Sequence, residues 1–461
     1  MKDLDISISS NPRAPSRTRS RRIGHLPLVL LLLACNSHSS AAAWSAELEN
    51  ALSTETEPEE VPLAEPENAL LGELEALSAE IEEDLQTDAE VIHEGNIGEA
   101  RRILQRGLDK LRSDGVVGAL AKLSDDDLTF EAHTGVAQLD SDEEVNVDGY
   151  FRMGSNTKTF VAVVILQLVD EGKLRLSDTV EHWLPGLVSG NGNDGGLITI
   201  RQLLQHASGL HNYTQELLGE YTVDTYYQVR FEHIEPEELV ALALTHEPNF
   251  PPGTSWSYSN TNYILAGMVI EAVTGRDWIT ELHERILEPF HLTHTYEPGD
   301  DPDLPLPHAT GYSEIAYGEA LVDVTSYNMT WGGAAGSLVT NSDDLSRFWR
   351  ALQRGELLSP ESMAEMHQTV PATGLDEVIP GTRDGLGIFW IPTRCGGYWT
   401  HFGDTFGYAT RSGVDEDGTR AVVLSRSTTL DDGQSDEASM KALTVIKDDL
   451  QFIEDAMCVG R

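Results

Sequence analysis

The chain has 461 residues, 40% of them hydrophobic, and a formal net charge of −45. Its length allows about two to four domains and a large buried core. So acidic a surface is repelled by phosphates, which excludes a nucleic-acid partner and suits a soluble exported protein. Lys supplies 7 of the 31 basic residues, a bias that also fits a salty habitat.

The chain opens on Arg17, Arg19, Arg21 and Arg22, followed by an apolar run from Leu26 to Ala34. That order reads as an export signal over residues 1–35, and no other stretch is long and apolar enough to span a membrane. Leu32-Leu33-Ala34-Cys35 resembles a bacterial lipobox, in which Cys35 is lipidated and becomes the first mature residue. The alternative is cleavage after Ala41-Ala42-Ala43. Residues 36–96 form an acidic linker or stalk, rich in Glu and Pro in its first half. Leu70, Leu71, Leu74, Leu77, Ile81 and Leu85 then recur at helical spacing. As flexible coil, about 60 residues span roughly 45 Å.

Residues 97–461 read as the catalytic domain. Ala100 to Leu111 is expected as a helix, and Leu128 to Ala132 with Val136 to Leu139 as a first pair of strands. The middle is helical and loop-rich. Strand patterns return at Tyr398 to Gly403, Gly407 to Val414 and Arg420 to Arg426, and a closing helix runs from Glu437 to Met457. Strands at both ends of a helical middle predict an α/β fold. One antiparallel sheet is flanked by helices, with a mostly helical lobe inserted.

Three short motifs carry the chemistry. Ser155-Asn156-Thr157-Lys158 holds the only Ser-x-x-Lys and precedes an apolar run, Phe160 to Leu166, that reads as a buried helix. Residues three apart share a helix face, so Lys158 points at Ser155. A lysine whose pKa is lowered by desolvation can take the hydroxyl proton and make Ser155 a nucleophile. Tyr258-Ser259-Asn260 is the only Tyr-x-Asn among 13 tyrosines; it lies between the turn Phe250 to Thr254 and a helix from Tyr263 to Thr274. His401-Phe402-Gly403 puts a basic group in a strand. Each motif alone has a plainer reading: an N-cap serine, a loop tyrosine over the core, a satisfied strand histidine. No His-Glu-x-x-His or cysteine cluster is present, so no metal or cofactor is expected. No Gly-x-Ser-x-Gly elbow is present either. In an exported chain Cys395 and Cys458 are available to pair; the alternative is two buried thiols.

The motifs and their surroundings resemble the class C β-lactamase-related family of penicillin-recognising serine hydrolases. The matching stretches are Gly154 to Phe160, Gln167 to Leu174, Ile200 to Leu210, Ser257 to Tyr263 and Leu357 to Ser362. Within it, the chain is most similar to secreted actinobacterial D-alanyl-D-alanine carboxypeptidases, which also carry His in the third motif. They share Cys-Gly before that strand and a Cys at the end of the closing helix, as Cys395-Gly396 and Cys458 do here. The resemblance implies the β-lactamase/transpeptidase-like fold and an acyl-enzyme on Ser155. It implies that Lys158 and Tyr258 move the proton and that His401 supports Tyr258. Asn260 then holds the substrate amide, Trp331 lines the cleft, and the backbone N–H groups of Ser155 and Asp404 form the oxyanion hole. Substrates would be small peptides, esters or amides, including peptidoglycan stem peptides, with β-lactams as acylating inhibitors. A membrane would be met only through a lipid anchor.

The match departs at the carboxylate anchor. Those relatives have Thr on both sides of the third-motif Gly, and an Arg at the cleft edge before that strand. Here the equivalents are Phe402, Asp404 and Phe389 around Gly403. A free Asp404 would repel a terminal carboxylate, with Arg394 as the one candidate to compensate. The reading is therefore a carboxypeptidase-like serine hydrolase. An esterase or D-amino-acid amidase on the same machinery is its alternative, and a non-catalytic binding module the remaining one.

Overall fold

The computed structural model describes residues 98–461 except 127, 218–222, 315–319, 377 and 431–435. The export signal, Cys35 and the acidic segment lie outside the described residues. Among these, no helix is long and apolar enough to cross a membrane.

The centre is a nine-stranded sheet. Its strands are β1 (Gly118–Asp125), β2 (Leu128–Gly135), β3 (Val370–Pro371), β4 (Arg383–Asp384), β5 (Phe389–Thr393), β6 (Gly396–Thr400), β7 (Phe402–Thr405), β8 (Tyr408–Val414) and β9 (Ala421–Arg426). They run in the order β2-β1-β9-β8-β6-β5-β4-β3, with β7 paired to β8, and every pairing is antiparallel. The amino- and carboxyl-terminal parts of the chain meet where β1 pairs β9, Leu120 opposite Ser425.

Side-chain alternation sorts the two faces. Ala119, Ala121 and Leu123 of β1 join Val422 and Leu424 of β9 in one core. That core is closed by Leu104, Leu108 and Leu111 of helix α1 (98–113), and by Phe452, Ile453 and Ala456 of the closing helix. Leu120 and Val423 face the other way, into the larger core. There α2 (Thr157–Asp170), α3 (Thr261–Thr274) and α4 (Ser342–Gln353) pack. Helix α2 is buried all round, with Phe160 to Leu166 between 0 and 1% exposed. Helix α4 is instead one-sided: Leu345, Phe348, Trp349 and Leu352 face the core at helical spacing, and Asn341 caps its first turn through Asp344 N–H at 2.9 Å. The closing helix is α5 (Asp436–Cys458), and a disulfide joins its last residue, Cys458, to Cys395 beside β6.

Two expectations are corrected. The first strand pair is β1 with β2, and Val136 makes only an isolated bridge to Glu144. Strand β1 escaped the pattern because it is buried on both faces and its sequence does not alternate. The single strand expected over Tyr398 to Gly403 is two, β6 and β7, broken at His401. His401 therefore sits at a kink rather than within a strand.

Candidate active site

Ser155 lies in a 3-10 turn, Gly154–Asn156, that feeds directly into α2. The turn is wedged against β7. Gly154 has φ 54°, and a Cβ there would lie 2.9 Å from the Asp404 nitrogen. A Cβ on Gly403 would lie 1.9 Å from the Met153 carbonyl oxygen. Both glycines are needed because two backbones approach to contact. Asn156 ties the turn to the sheet, since its Oδ1 accepts from Ser412 Oγ at 2.8 Å and its Nδ2 donates to Met153 O at 3.1 Å. The Ser155 backbone is thus fixed from both sides.

Lys158 is fully buried, one turn from the half-buried Ser155. Its Nζ contacts Ser155 Oγ at 2.8 Å, Asn260 Oδ1 at 2.7 Å and Ala335 O at 2.7 Å. The last two are acceptors only, so they take two of the amine's hydrogens. What remains faces Ser155: a third N–H in the ammonium, a lone pair in the neutral amine. Desolvation pulls the Lys158 pKa well below its ordinary 10.5, which favours the lone pair. Asn260 is held in turn, its Nδ2 donating to Thr214 Oγ1 at 3.3 Å. Its Oδ1 is engaged by Lys158, so the amide has a second N–H of Nδ2 to offer a ligand.

Tyr258 comes from the loop before α3. Its ring centroid lies 4.9 Å from Lys158 Nζ, and its phenol stands beside the Ser155 hydroxyl. Burial raises its pKa, and the neighbouring Ser155 hydroxyl opposes that rise only in part. His401 is 2% exposed, with its ring centroid 6.3 Å from that of Tyr258. Its Nδ1 lies 2.7 Å from Phe402 O, an acceptor, so the proton sits on Nδ1 and Nε2 keeps a lone pair. Burial, aided by the charge of Lys158, lowers its pKa to about 3. His401 is therefore a neutral, proton-sharing group rather than a cation.

Two further groups belong here that the motifs did not point to. His206 Nδ1 accepts from Ser259 N–H at 3.2 Å and from Asn262 Nδ2 at 3.1 Å, and its ring stands 4.3 Å from that of Tyr258. Burial holds its pKa well below the usual imidazole value. Asp384 is 1% exposed and accepts from Trp256 Nε1 at 2.6 Å. Burial holds its pKa well above the carboxylate range, and its field acts on Tyr258. His206 lies inside a stretch that carried the family resemblance, whereas nothing in the sequence marks Asp384. Lys158, His206, His401, Tyr258 and Asp384 are all driven toward their uncharged forms by the same cause, removal from water.

The strand side differs from expectation. The Asp404 carboxylate does not stand free: Arg411 grips it twice, Nη2 to Oδ1 at 2.9 Å and Nη1 to Oδ2 at 3.1 Å. Arg394 points away, paired with Glu454 and Asp455 of α5, so it does not compensate at the cleft. Phe389 is 2% exposed and packs against His401 at 5.0 Å between centroids, so it is not a cleft-edge contact for substrate. Phe402 is half-buried above Arg411, whose guanidinium carbon lies 5.6 Å from its ring. Trp331 is half-buried with Phe406 at 6.1 Å, and its carbonyl accepts from Tyr213 Oη at 2.5 Å. Trp331, Phe406, Tyr226 and Tyr327 line a cavity of about 300 Å³.

The sequence profile of the Beta-lactamase family matches residues 100–444. The chain is 33% identical over 190 residues to penicillin-binding protein 4 of Amycolatopsis lactamdurans, a match covering 41% of this chain and 47% of that one. It is 26% identical over 297 residues to penicillin-binding protein 4* of Bacillus subtilis, covering 62% of each. The chain thus spans less than two thirds of these curated relatives. Solved structures match more fully. A D-stereospecific amidohydrolase from Streptomyces sp. superposes with TM-score 0.69 at 36% identity, covering 77% of this chain and 98% of that one. The D-amino acid amidase of Ochrobactrum anthropi SV3, complexed with L-phenylalanine amide, gives TM-score 0.67 at 25% identity, over 78% and 98% of the two chains.

Proposed function

The chain belongs to the Beta-lactamase family, and from that premise we propose that it is a serine acyl-transfer hydrolase whose preferred donors are amides or short peptides of D-amino acids. One observation carries the chemistry: the fully buried Lys158 amine at 2.8 Å from Ser155 Oγ, its other two contacts being acceptors. In this mechanism Lys158 takes the Ser155 proton as Oγ attacks the acyl carbon. The backbone N–H groups of Ser155 and Asp404 hold the oxyanion. Tyr258, beside Ser155 and backed by the neutral His401 and His206, passes the proton to the departing nitrogen. The amine leaves, the acyl group stays on Oγ, and water then enters by the same proton path in reverse to release the acid. Asn260 offers its second amide hydrogen to the acyl side chain.

The amide preference rests on the strand wall. There the buried Arg411 guanidinium is already occupied by Asp404 and Arg394 is turned toward Glu454 and Asp455, which leaves little to hold a terminal carboxylate. Similarity to two D-specific amide hydrolases across 98% of their chains supports the same reading. The likeness to penicillin-binding proteins favours a second reading, a D-alanyl-D-alanine carboxypeptidase. Measuring kcat/KM for a D-amino-acid amide against acyl-D-Ala-D-Ala decides between them. The amide is expected to be the better donor, and a preference for the free acid would establish the carboxypeptidase. Export and lipid anchoring at Cys35 remain part of the proposal. Recovery of the Cys35→Ser protein in the membrane fraction would sink the anchor.

A further inference from the structure

Outside the reaction centre, one cluster gathers three metal-competent side chains from two separated segments. Both Nε2 atoms of His211 and His246 reach the Glu216 carboxylate. His211 Nε2 lies 3.0 Å from Oε1 and 2.8 Å from Oε2, and His246 Nε2 lies 3.0 Å from Oε1. The two rings stack at 4.0 Å and 19°, so both present the same edge to the carboxylate. All three donor atoms fall within 4.8 Å of one another. Among the described residues the ion pairs of Glu216 are with these two histidines, and no Lys or Arg neutralises it.

We propose that His211, Glu216 and His246 bind one divalent transition metal of the zinc class. Two imidazole nitrogens and a carboxylate oxygen suit zinc and its neighbours, whereas magnesium and calcium prefer all-oxygen shells. The cation takes the place of the hydrogens now shared between the imidazoles and the carboxylate. For that, each Nε2 gives up its hydrogen, either to Nδ1 of the same ring or to water. Three protein ligands leave the fourth position to water. The backbones are already fixed. The His246 carbonyl accepts from Asn193 Nδ2 at 2.8 Å, and the His211 carbonyl accepts from Thr261 Oγ1 at 2.7 Å and Ser259 Oγ at 3.2 Å.

The position gives the metal a role. The segment from His211 to Glu216 also holds Asn260: Asn212 Oδ1 accepts from Asn260 N–H at 3.0 Å, and Thr214 Oγ1 accepts from Asn260 Nδ2. A metal bridging this segment to His246 staples the wall that carries the Tyr258–Asn260 motif, without touching Ser155. No local spacing in the sequence marks the set, because Glu216 and His246 lie 30 positions apart.

The test uses the full chain without an affinity tag, stripped with a chelator and titrated with Zn²⁺ against a chromophoric competitor. One equivalent should bind, and saturating Zn²⁺ should raise Tm. Glu216→Gln and His246→Ala should each weaken binding by at least about tenfold, with the Tm of the metal-free protein unchanged. His233→Ala, which alters a different histidine–carboxylate pair, should bind as the wild type does. No saturable Zn²⁺ binding, or binding undiminished in both Glu216→Gln and His246→Ala, overturns the site.

Discussion

The two walls of the cleft are built on different physical terms. The helical wall, with Ser155, Lys158, Tyr258 and His206, is dry, and desolvation pushes the last three toward neutrality. The strand wall is wet and charged. The Asp404 side chain is 56% exposed and is balanced by Arg411, which is anchored in turn by the fully buried Asp449 on α5 at 3.3 Å. A dry wall fixes where one proton goes, because no water competes for it. A wet wall built on an ion pair sets which substrate ends are tolerated, and single substitutions can retune it. Proton transfer is therefore expected to fail in steps of orders of magnitude, and selectivity to shift by modest factors.

The largest effect should come from the dry wall. Lys158→Met removes the proton acceptor but keeps the buried volume, and kcat should fall by about 10²–10⁴-fold with little change in KM. Stopped-flow acylation measures this. A fall of less than tenfold would mean that another group accepts the proton. In the wild type, kcat/KM should rise with pH through the lowered Lys158 pKa, below the ordinary 10.5, because only the neutral amine accepts.

Breaking the support of the wet wall comes next. Arg411→Met leaves Asp449, 0% exposed, with Arg426 as its remaining partner at 3.2 Å. Urea unfolding should show a loss of about 1–3 kcal/mol, short of the cost of a wholly unpaired buried charge because Arg426 still pairs Asp449. Removing the Cys395–Cys458 bridge, with its sequence separation of 63, should cost about 4 kcal/mol at most by chain entropy. Cys395→Ser with Cys458→Ser, compared in the same assay, gives the value. The mildest change is Asp404→Thr, which frees the Arg411 guanidinium. The ratio of kcat/KM for acyl-D-Ala-D-Ala to that for its methyl ester should rise by about fivefold, since exposed pairs are worth at most about 1 kcal/mol. An unchanged ratio would mean that Arg411 does not face the substrate end.

Acid should weaken the fold through histidines kept neutral by burial. His401 and His367 titrate at about 3 and about 4 in the folded chain against an ordinary 6.5. The unfolded chain therefore binds more protons between those values, and stability is full above about 6.5 and lost as pH falls toward 4 and below. His367→Gln should flatten that slope by about one proton in this window.

The Ser155–Lys158 pair of the dry wall was legible in the sequence because its chemistry is local. Ser155 and Lys158 are one turn apart on a helix whose burial is written in Phe160 to Leu166. The sheet ends were legible through alternation, except β1, which is buried on both faces. The wet wall was not legible. Asp404 meets Arg411 across the β7–β8 pairing, and that register shows only in three dimensions. His401 read as either a cationic or a proton-sharing group by residue type, and its burial selects the neutral form. Asp384 and the Glu216 cluster depend on contacts between segments with no shared spacing.

Mass spectrometry of the intact protein after incubation with a penicillin tests the nucleophile most directly. Ser155 as the acylated residue predicts one adduct per chain, mapped by digestion to the peptide holding Ser155 and absent in Ser155→Ala. An adduct that persists undiminished in Ser155→Ala, or that maps to another residue, would contradict it.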